Sequence, residues 1–381
     1  MINLSALEIH HLVRELEILV GGKIEKVFQQ EKPIDDFLLN IHVPGKGKNY
    51  LYINLPRAMC LTDFKPKFPD TPLAFCSSLR RKITSSRINS IKQHKFERIV
   101  VIELNTKHGK SELIIELFSS GNIILVDENK KILSVLHAKI YSEERTLLPG
   151  KQYAFPKEQL NPFELKFEDL KKLTKETTKD SLVTFLAVDC SLGGLYSEEV
   201  IYKAEIDKNK KPESLSEEEV KKIYEELKAI LEKPSKAQEG EDGKPIPIVL
   251  EHLKTKDSEK SFSELIAEKI LAQLEKSEET KANKEKKEQL TKFQKILKSQ
   301  EQQVKGLEKS EKENTAKGEF IYKHYSEIDQ LLKTIKEMRK TLSWKEIKEE
   351  LKNHKFIDSI DEHEGSITIN IPEEKNKKEE D

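Results

Sequence analysis

The sequence predicts an α+β fold: an amino-terminal, mostly antiparallel β-rich domain with flanking helices, then a helix-hairpin-helix module, then coiled-coil helices and a small β-hairpin. Three observations predict it. Short β-type runs crowd residues 24–126, helical periods take over from about 160, and the apolar fraction collapses beyond about 275. At 381 residues, 35% charged and 36% apolar, the chain holds two or three domains and much solvated surface, while 15 Phe and 9 Tyr suffice for one solid core.

Ser5 and Glu8 have capping-box spacing, and Leu7, Leu12, Val13, Leu16 and Leu19 form a helical stripe that Gly21-Gly22 stops. From Ile24 the period changes. IEKVFQ, DFLLNIHV, NYLYINL, RIVVIEL, ELIIELF and NIILV are short β-type runs, most of them bounded by Gly, Asn, Asp or Pro. A helix fits between them at about 71–84, through Leu73, Phe75 and Leu79. This first domain spans 1–158, closing near Pro149-Gly150 to Pro156.

Residues 159–233 read as short helices around Leu192-Gly193-Gly194-Leu195-Tyr196. In a helix-hairpin-helix, such glycines let backbone amides approach a phosphate at a helix start, so Gly193 and Gly194 are the candidate phosphate-contacting turn. A simple chain turn is the plainer reading. Residues 234–261 read as a polar linker.

Residues 262–342 read as coiled-coil helices. Leu290, Phe293, Leu297, Val304 and Leu307 fall on a 3–4 seam with Gln300 at an expected apolar site, and Phe320, Tyr325, Ile328, Leu332, Ile335, Met338 and Leu342 make a second amphipathic run. A single charged strand cannot bury its own seam, so either 319–342 folds back on it or a separate chain supplies the missing strand. In 343–372, Ser343 and Glu346 repeat the capping-box spacing ahead of a short helix with Trp344 as packing anchor, and a β-hairpin turns at Glu364-Gly365. Residues 373–381 are a charged tail.

Lysines and arginines number 67 against 68 acids, which excludes a uniformly basic nucleic-acid binder and an acidic disordered chain. The balance is uneven. Residues 1–150 carry 22 basic and 17 acidic side chains, and seven of the eight arginines. Arginine suits phosphate forks better than lysine does, so a polyanion partner is sought there. Arg80, Arg81, Lys82, Arg87, Lys92, Lys95 and Arg98 fall in or beside a stretch with no acid between Asp70 and Glu97, a candidate RNA-facing patch. An ordinary solvated face is the competing reading.

Cys60, Cys76 and Cys190 are scattered and form no CxxC pair, which fits a reducing cytosol and offers no zinc framework. No apolar run approaches the roughly 18 residues of a membrane span, so the sequence implies a cytoplasmic protein with no membrane partner. His10 and His11 have no acid, nucleophile or metal set beside them in the sequence. The expectation is no catalytic residue, no metal and no cofactor.

Several words, in order, resemble one family: SALEIHHLVRELE with GGKIEKVFQ, Leu79-Arg80-Arg81-Lys82, FERIVVIEL, ELFSSGNIILVD, PGKQYAFP, LGGLYSEEV and SWKEIKEEL. The chain resembles the NFACT proteins, ribosome-associated quality-control factors historically named fibronectin-binding protein A-like, and its phrasing is closer to the archaeal branch. The likeness runs from residue 1 to roughly 370. It implies a non-catalytic RNA-binding role: binding a large ribosomal subunit still obstructed by peptidyl-tRNA, and recruiting aminoacyl-tRNA, typically alanyl, so that the stalled chain is extended at its carboxyl end without a template. Peptide-bond formation would belong to the ribosome.

The family's Asp-Arg pair, which engages tRNA, aligns with Glu97-Arg98, where the acid is one methylene longer. Glu116, opening ELFSSGN, matches a family position near bound tRNA. Glu205 stands where the family usually has glycine. Family members continue through a returning coiled-coil strand into a carboxyl-terminal RNA-binding domain, which implies a separate chain as a further partner if this one ends here. Two other readings compete. A β-rich domain joined to a helix-hairpin-helix also resembles formamidopyrimidine-type DNA glycosylases, but Met1-Ile2-Asn3 supplies neither their proline amine nor the glutamate beside it, and the four-cysteine finger is lacking. A cytosolic ribosome- or protein-binding adaptor without tRNA recruitment is the other.

Overall fold

Ser5 and Glu8 form the expected capping box on α1 (Ala6–Leu16): Glu8 N donates to Ser5 Oγ at 3.2 Å, and Ser5 N donates to Glu8 Oε2 at 2.7 Å. The computed structural model describes residues 2–30, 35–241, 243–361 and 363–370, and the side chains of all of these but 277–285. The expected tail 373–381 lies outside the described residues.

Behind α1, nine strands among the described residues make one antiparallel sheet: β1 (Lys23–Gln29), β2 (Asp36–Val43), β3 (Gly47–Asn54), β4 (Ala58–Thr62), β5 (Arg87–Gln93), β6 (Ile99–Thr106), β7 (Gly109–Glu116), β8 (Asn122–Asp127) and β9 (Ile132–Val135). Their order is β4-β3-β2-β1-β5-β6-β7-β8-β9, with α2 (Ala74–Ile83) between β4 and β5 in the chain. α1 touches both β4 and β5, and α2 touches both β1 and β9. Strands four or five places apart in a flat sheet would lie about 20 Å apart, twice a helix's width, so the sheet curls around each helix. Hence β2 buries every residue but His42. Its Asp36 is satisfied inside by Tyr52 OH at 2.5 Å and Asn54 Nδ2 at 2.6 Å.

A small hairpin of β10 (Lys139–Ile140) and β11 (Thr146–Leu147) ends this region. The helical module follows with α3 (Phe167–Glu176), α4 (Leu182–Thr184) running into a π-helical turn Phe185–Asp189, α5 (Gly194–Ala204) and α6 (Glu217–Glu232). Residues 234–261, expected to be a polar linker, form β12 (Gln238–Gly240), β13 (Pro245–Ile246) and β14 (Thr255–Asp257), and Ile246, Ile248 and Leu250 are buried with the helical module.

α1 joins two cores. Leu12 and Leu16 point into the sheet core, while Ala6 and Leu7 pack with Phe96, Phe185, Tyr196 and Leu227 in the helical one. The sheet core also takes Phe262, Ile266 and Ile270 from the start of α7 (Phe262–Lys323). There the Glu15 carboxylate accepts from Phe262 N at 3.0 Å and Ser263 N at 2.8 Å, an anion on the positive end of a helix. All of this belongs to one compact unit, which ends at Glu278.

A second unit begins at Glu279. In it the α7 seam is helical as expected but open: Leu290 is 58% exposed, Phe293 68% and Leu307 70%. α8 (Tyr325–Met338) buries Ile328, Leu331 and Ile335, while Leu332 faces out, one position off the expected stripe. Of the two alternatives for the seam, the fold-back of 319–342 does not cover it among the described residues. Ser343 N donates to Glu346 Oε2 at 2.8 Å at the start of α9 (Trp344–Glu350), and the Arg339 guanidinium lies 4.6 Å from the Trp344 ring. β15 (Ile357–Asp361) and β16 (Ser366–Ile369) form the expected hairpin, with Gly365 in its turn.

Candidate nucleic-acid interface

Arg98 immediately precedes β6 and is half-buried. Its Nη2 donates to Asn3 Oδ1 and, at 3.2 Å, to the Pro56 carbonyl, while Nε is buried without a partner among the described residues. Burial lowers the guanidinium from its ordinary value, opposed by the charge of Glu8. Gly121 lies on the same turn of Pro56: it has φ +73°, and a Cβ there would stand 2.9 Å from Leu55 Cβ and 3.0 Å from Pro56 Cα. Only glycine allows that approach. Ser119 and Ser120 beside it are exposed.

The glycine turn of the helical module arrives at the same place. Gly193 takes φ +76° as N-cap of α5, and a Cβ on it would lie 3.9 Å from Ser5 Cβ, at the start of α1. One turn further, Tyr196 OH donates to Glu8 Oε1 at 3.1 Å, with both side chains buried. The start of α5, whose first amides have no intrahelical acceptor, is thus locked beside the α1 cap and Asn3, the side chain that Arg98 grips.

Glu97 is turned toward the chain itself. Its Oε1 accepts from Gln159 N at 2.9 Å, Lys95 pairs with Glu158, and His94 stacks on Phe155 with ring centres 3.5 Å apart. Three consecutive contacts strap residues 155–159 over the β5–β6 turn. Lys92 pairs with Glu103 at 3.3 Å. Arg87 is exposed opposite Asn105, six strand residues from Gln93, about 20 Å along the ladder. Arg80 donates from Nε to the Val27 carbonyl at 2.6 Å, Lys82 donates to Ser78 Oγ at 3.3 Å, and Arg81 is exposed. The acid-free stretch therefore does not form one continuous cationic face. Antiparallel pairing and the outward periodicity of α2 distribute it.

Glu116 is 2% exposed. Its Oε1 accepts from Arg145 Nη2 at 2.5 Å and from Tyr153 OH at 2.9 Å, and Arg145 also lies 4.6 Å from the Tyr141 ring. It is an interior counter-charge holding the β10–β11 hairpin. Sequence reasoning missed Asn3, Pro56 and Gln159, and took Tyr196 only as part of the glycine turn. The Ser5–Glu8 cap and that turn carried the sequence signals near them.

The sequence profile of the NFACT N-terminal and middle domains matches residues 5–380. The archaeal Rqc2 homolog aRqcH of Methanocaldococcus jannaschii is 30% identical over 394 residues, covering 95% of this chain and 57% of that relative. The Rqc2 homolog RqcH of Streptococcus pneumoniae is 35% identical over 193 residues, 46% of this chain and 34% of its own. Subunit 2 of the Saccharomyces cerevisiae ribosome quality control complex is 30% identical over 143 residues, 37% of this chain and 14% of its own. The chain thus spans little more than half the length of the first relative and less of the others. Among solved structures, the N-terminal part of the fibronectin/fibrinogen-binding protein of Streptococcus suis shares the fold with a TM-score of 0.56 at 23% identity, over 69% of this chain and 97% of that one. Since the profile accounts for nearly the whole chain and the archaeal relative keeps its identity along 95% of it, this protein belongs to the NFACT family.

Proposed function

We propose that this chain is a non-catalytic RNA-binding factor of ribosome-associated quality control. It binds large ribosomal subunits obstructed by peptidyl-tRNA and recruits aminoacyl-tRNA, alanyl-tRNA by family resemblance, for carboxyl-terminal tailing of stalled chains. It works in the cytoplasm, and a further helical strand completes the open α7 seam. The relatives bearing ribosome quality control names support the setting.

The observation that carries the RNA contact is the meeting of Arg98, Asn3, the Pro56–Gly121 turns and the start of α5 around the first turn of α1. A half-buried guanidinium whose Nη1 makes no hydrogen bond among the described residues, beside a helix start that offers backbone amides, suits phosphate oxygens. Glu97 and Glu116 act in this reading as positioning residues, the first on the strap 155–159 and the second on Arg145. Arg87 adds to the positive field, while Lys92 and Lys95 are offset by Glu103 and Glu158.

Sedimentation with purified large subunits, with and without peptidyl-tRNA, followed by sequencing of co-purified tRNA, tests the proposal. Selective binding to obstructed subunits with one enriched tRNA class is the expected result. Equal binding to empty and obstructed subunits, or none, contradicts it. A second reading, an adaptor that binds the ribosome without tRNA, is favoured by the exposed Leu290, Phe293 and Leu307. It predicts association insensitive to Arg98 and no tRNA enrichment.

A further inference from the structure

Phe28, on β1, is ringed by cations that the Arg98 site does not use. Lys65 Nζ lies 4.3 Å from its ring centre, Lys26 Nζ 5.1 Å and the Arg80 guanidinium carbon 5.5 Å. Phe68 stacks on the same ring at 5.4 Å. No two of these charges can be more than about 11 Å apart, close to the roughly 8 Å screening length at physiological ionic strength, so a polyanion meets them as one site. Among the described residues none of the three has a carboxylate partner within 4 Å. Glu25 accepts from Asn40 Nδ2 at 2.9 Å, and Glu275, which lines the cleft next to Lys65, forms no ion pair with it. Arg80 donates Nε to the Val27 carbonyl and lies beside the Cys76 thiol, and its terminal nitrogens meet no carboxylate among the described residues. Three like charges thus gather on one half-buried ring with no carboxylate partner among the described residues, a surface that attracts a polyanion.

The register says which. Phe28 pairs with Leu38, and Leu38 with Tyr52, four residues before Pro56, whose carbonyl holds Arg98. Two strand spacings, two strand residues and the Leu55–Pro56 turn put the Phe28 ring on the order of 15–20 Å from the Arg98 guanidinium. That separation spans several nucleotides of one structured RNA, whose backbone is continuous and charged at every nucleotide. The Phe28 faces are occupied by cations and Phe68, so the contact is to phosphate and not to a stacked base.

We propose that Lys26, Lys65 and Arg80 around Phe28 form a second phosphate-backbone site for the RNA engaged at Arg98. The assignment rests on the RNA-binding reading above, and it makes the first compact unit a two-point clamp.

The test is equilibrium binding of the full chain to a deacylated tRNA pool from about 50 to 300 mM salt, for wild type, the double variant K26A/K65A, and R98A. Lys26 and Lys65 are exposed, and unchanged melting confirms that the double variant folds. K26A/K65A should weaken binding about tenfold near physiological salt and reduce the slope of log affinity against log salt by about 1.5, the loss of two phosphate contacts. Loss of binding in R98A with an unchanged slope in K26A/K65A overturns this inference and leaves the Arg98 site standing. If neither variant changes binding, both fall. If polyglutamate competes with tRNA for wild type and this competition alone is lost in K26A/K65A, the surface takes an acidic protein, and the RNA assignment is wrong.

Discussion

The Tyr196 hydroxyl donates to Glu8 Oε1 at 3.1 Å, joining the first turn of α1 to the first turn of α5 across 188 residues of sequence. Burial and the adjacent Glu8 carboxylate raise the phenol well above its usual range, so it remains a donor at every accessible pH. Glu8 is only 2% exposed and also takes Ser5 N. One carboxylate thus caps α1 and docks α5, which fixes the glycine turn beside Asn3 and Arg98.

Tyr196→Phe removes that donor and leaves a buried carboxylate short of a partner. The expected loss is about 1–3 kcal/mol of stability. Urea titration of the full chain checks it, and tRNA affinity should fall with it because the α5 start loosens. Unchanged stability would show that the bond contributes nothing to the docking.

Glu116→Ala strands the Arg145 guanidinium, whose side chain is 11% exposed, without its counter-charge. Breaking a buried pair from one side costs about 3–5 kcal/mol. Thermal melting should show this loss. A direct RNA contact at Glu116 would instead lower affinity and leave melting unchanged.

Burial, with the charges of His10 and Arg14 nearby, lowers His11 to about 4. The ring is therefore neutral in the folded chain, while an unfolded histidine protonates near 6.5. Between these values the unfolded state binds more protons, so the contribution is fully present above about pH 6.5 and is lost as pH falls toward 4. The full loss is about 3 kcal/mol. Urea midpoints of wild type and His11→Gln at pH 7.5 and 4.5 check the sign: their difference should shrink at the lower pH. A constant difference would contradict it.

Glu205 ends α5 with φ +58°, a left-handed turn that side chains adopt at a cost. A glycine there would carry no such steric penalty. Glu205→Gly should stabilise the chain by about 1 kcal/mol. A calorimetric melting temperature that falls in this variant would mean that the Glu205 side chain itself contributes.

Where one face of an element meets solvent or core cleanly, the fold was legible. The Ser5–Glu8 cap, the glycine stop, six of the sheet's strands and the 343–346 cap follow from local pattern. β5 was passed over because RINSIKQ alternates poorly: a register shift between Ile88 and Ser90 puts its buried positions, Ile88 and Ile91, three apart. AMCLT was missed as β4 because it is only five residues long. Of the strands in 234–261, β12 and β14 are polar, β13 is only two residues long, and the buried Gln238 gives no apolar signal. At the site, adjacency in sequence misled for the basic residues, since antiparallel strands carry neighbours apart. Asn3, Pro56 and Tyr196 come from three distant segments, and nothing local announces that they meet.

The most direct measurement of the central claim is tRNA affinity of the full chain with Arg98 as wild type, Ala and Lys, at one salt concentration, with melting recorded for each. The structure predicts that R98A weakens binding at least tenfold. R98K should recover little of this, because an ammonium cannot grip Asn3 and Pro56 and still fork onto phosphate. Equal affinity in all three folded proteins would contradict the assignment of Arg98 to the RNA interface.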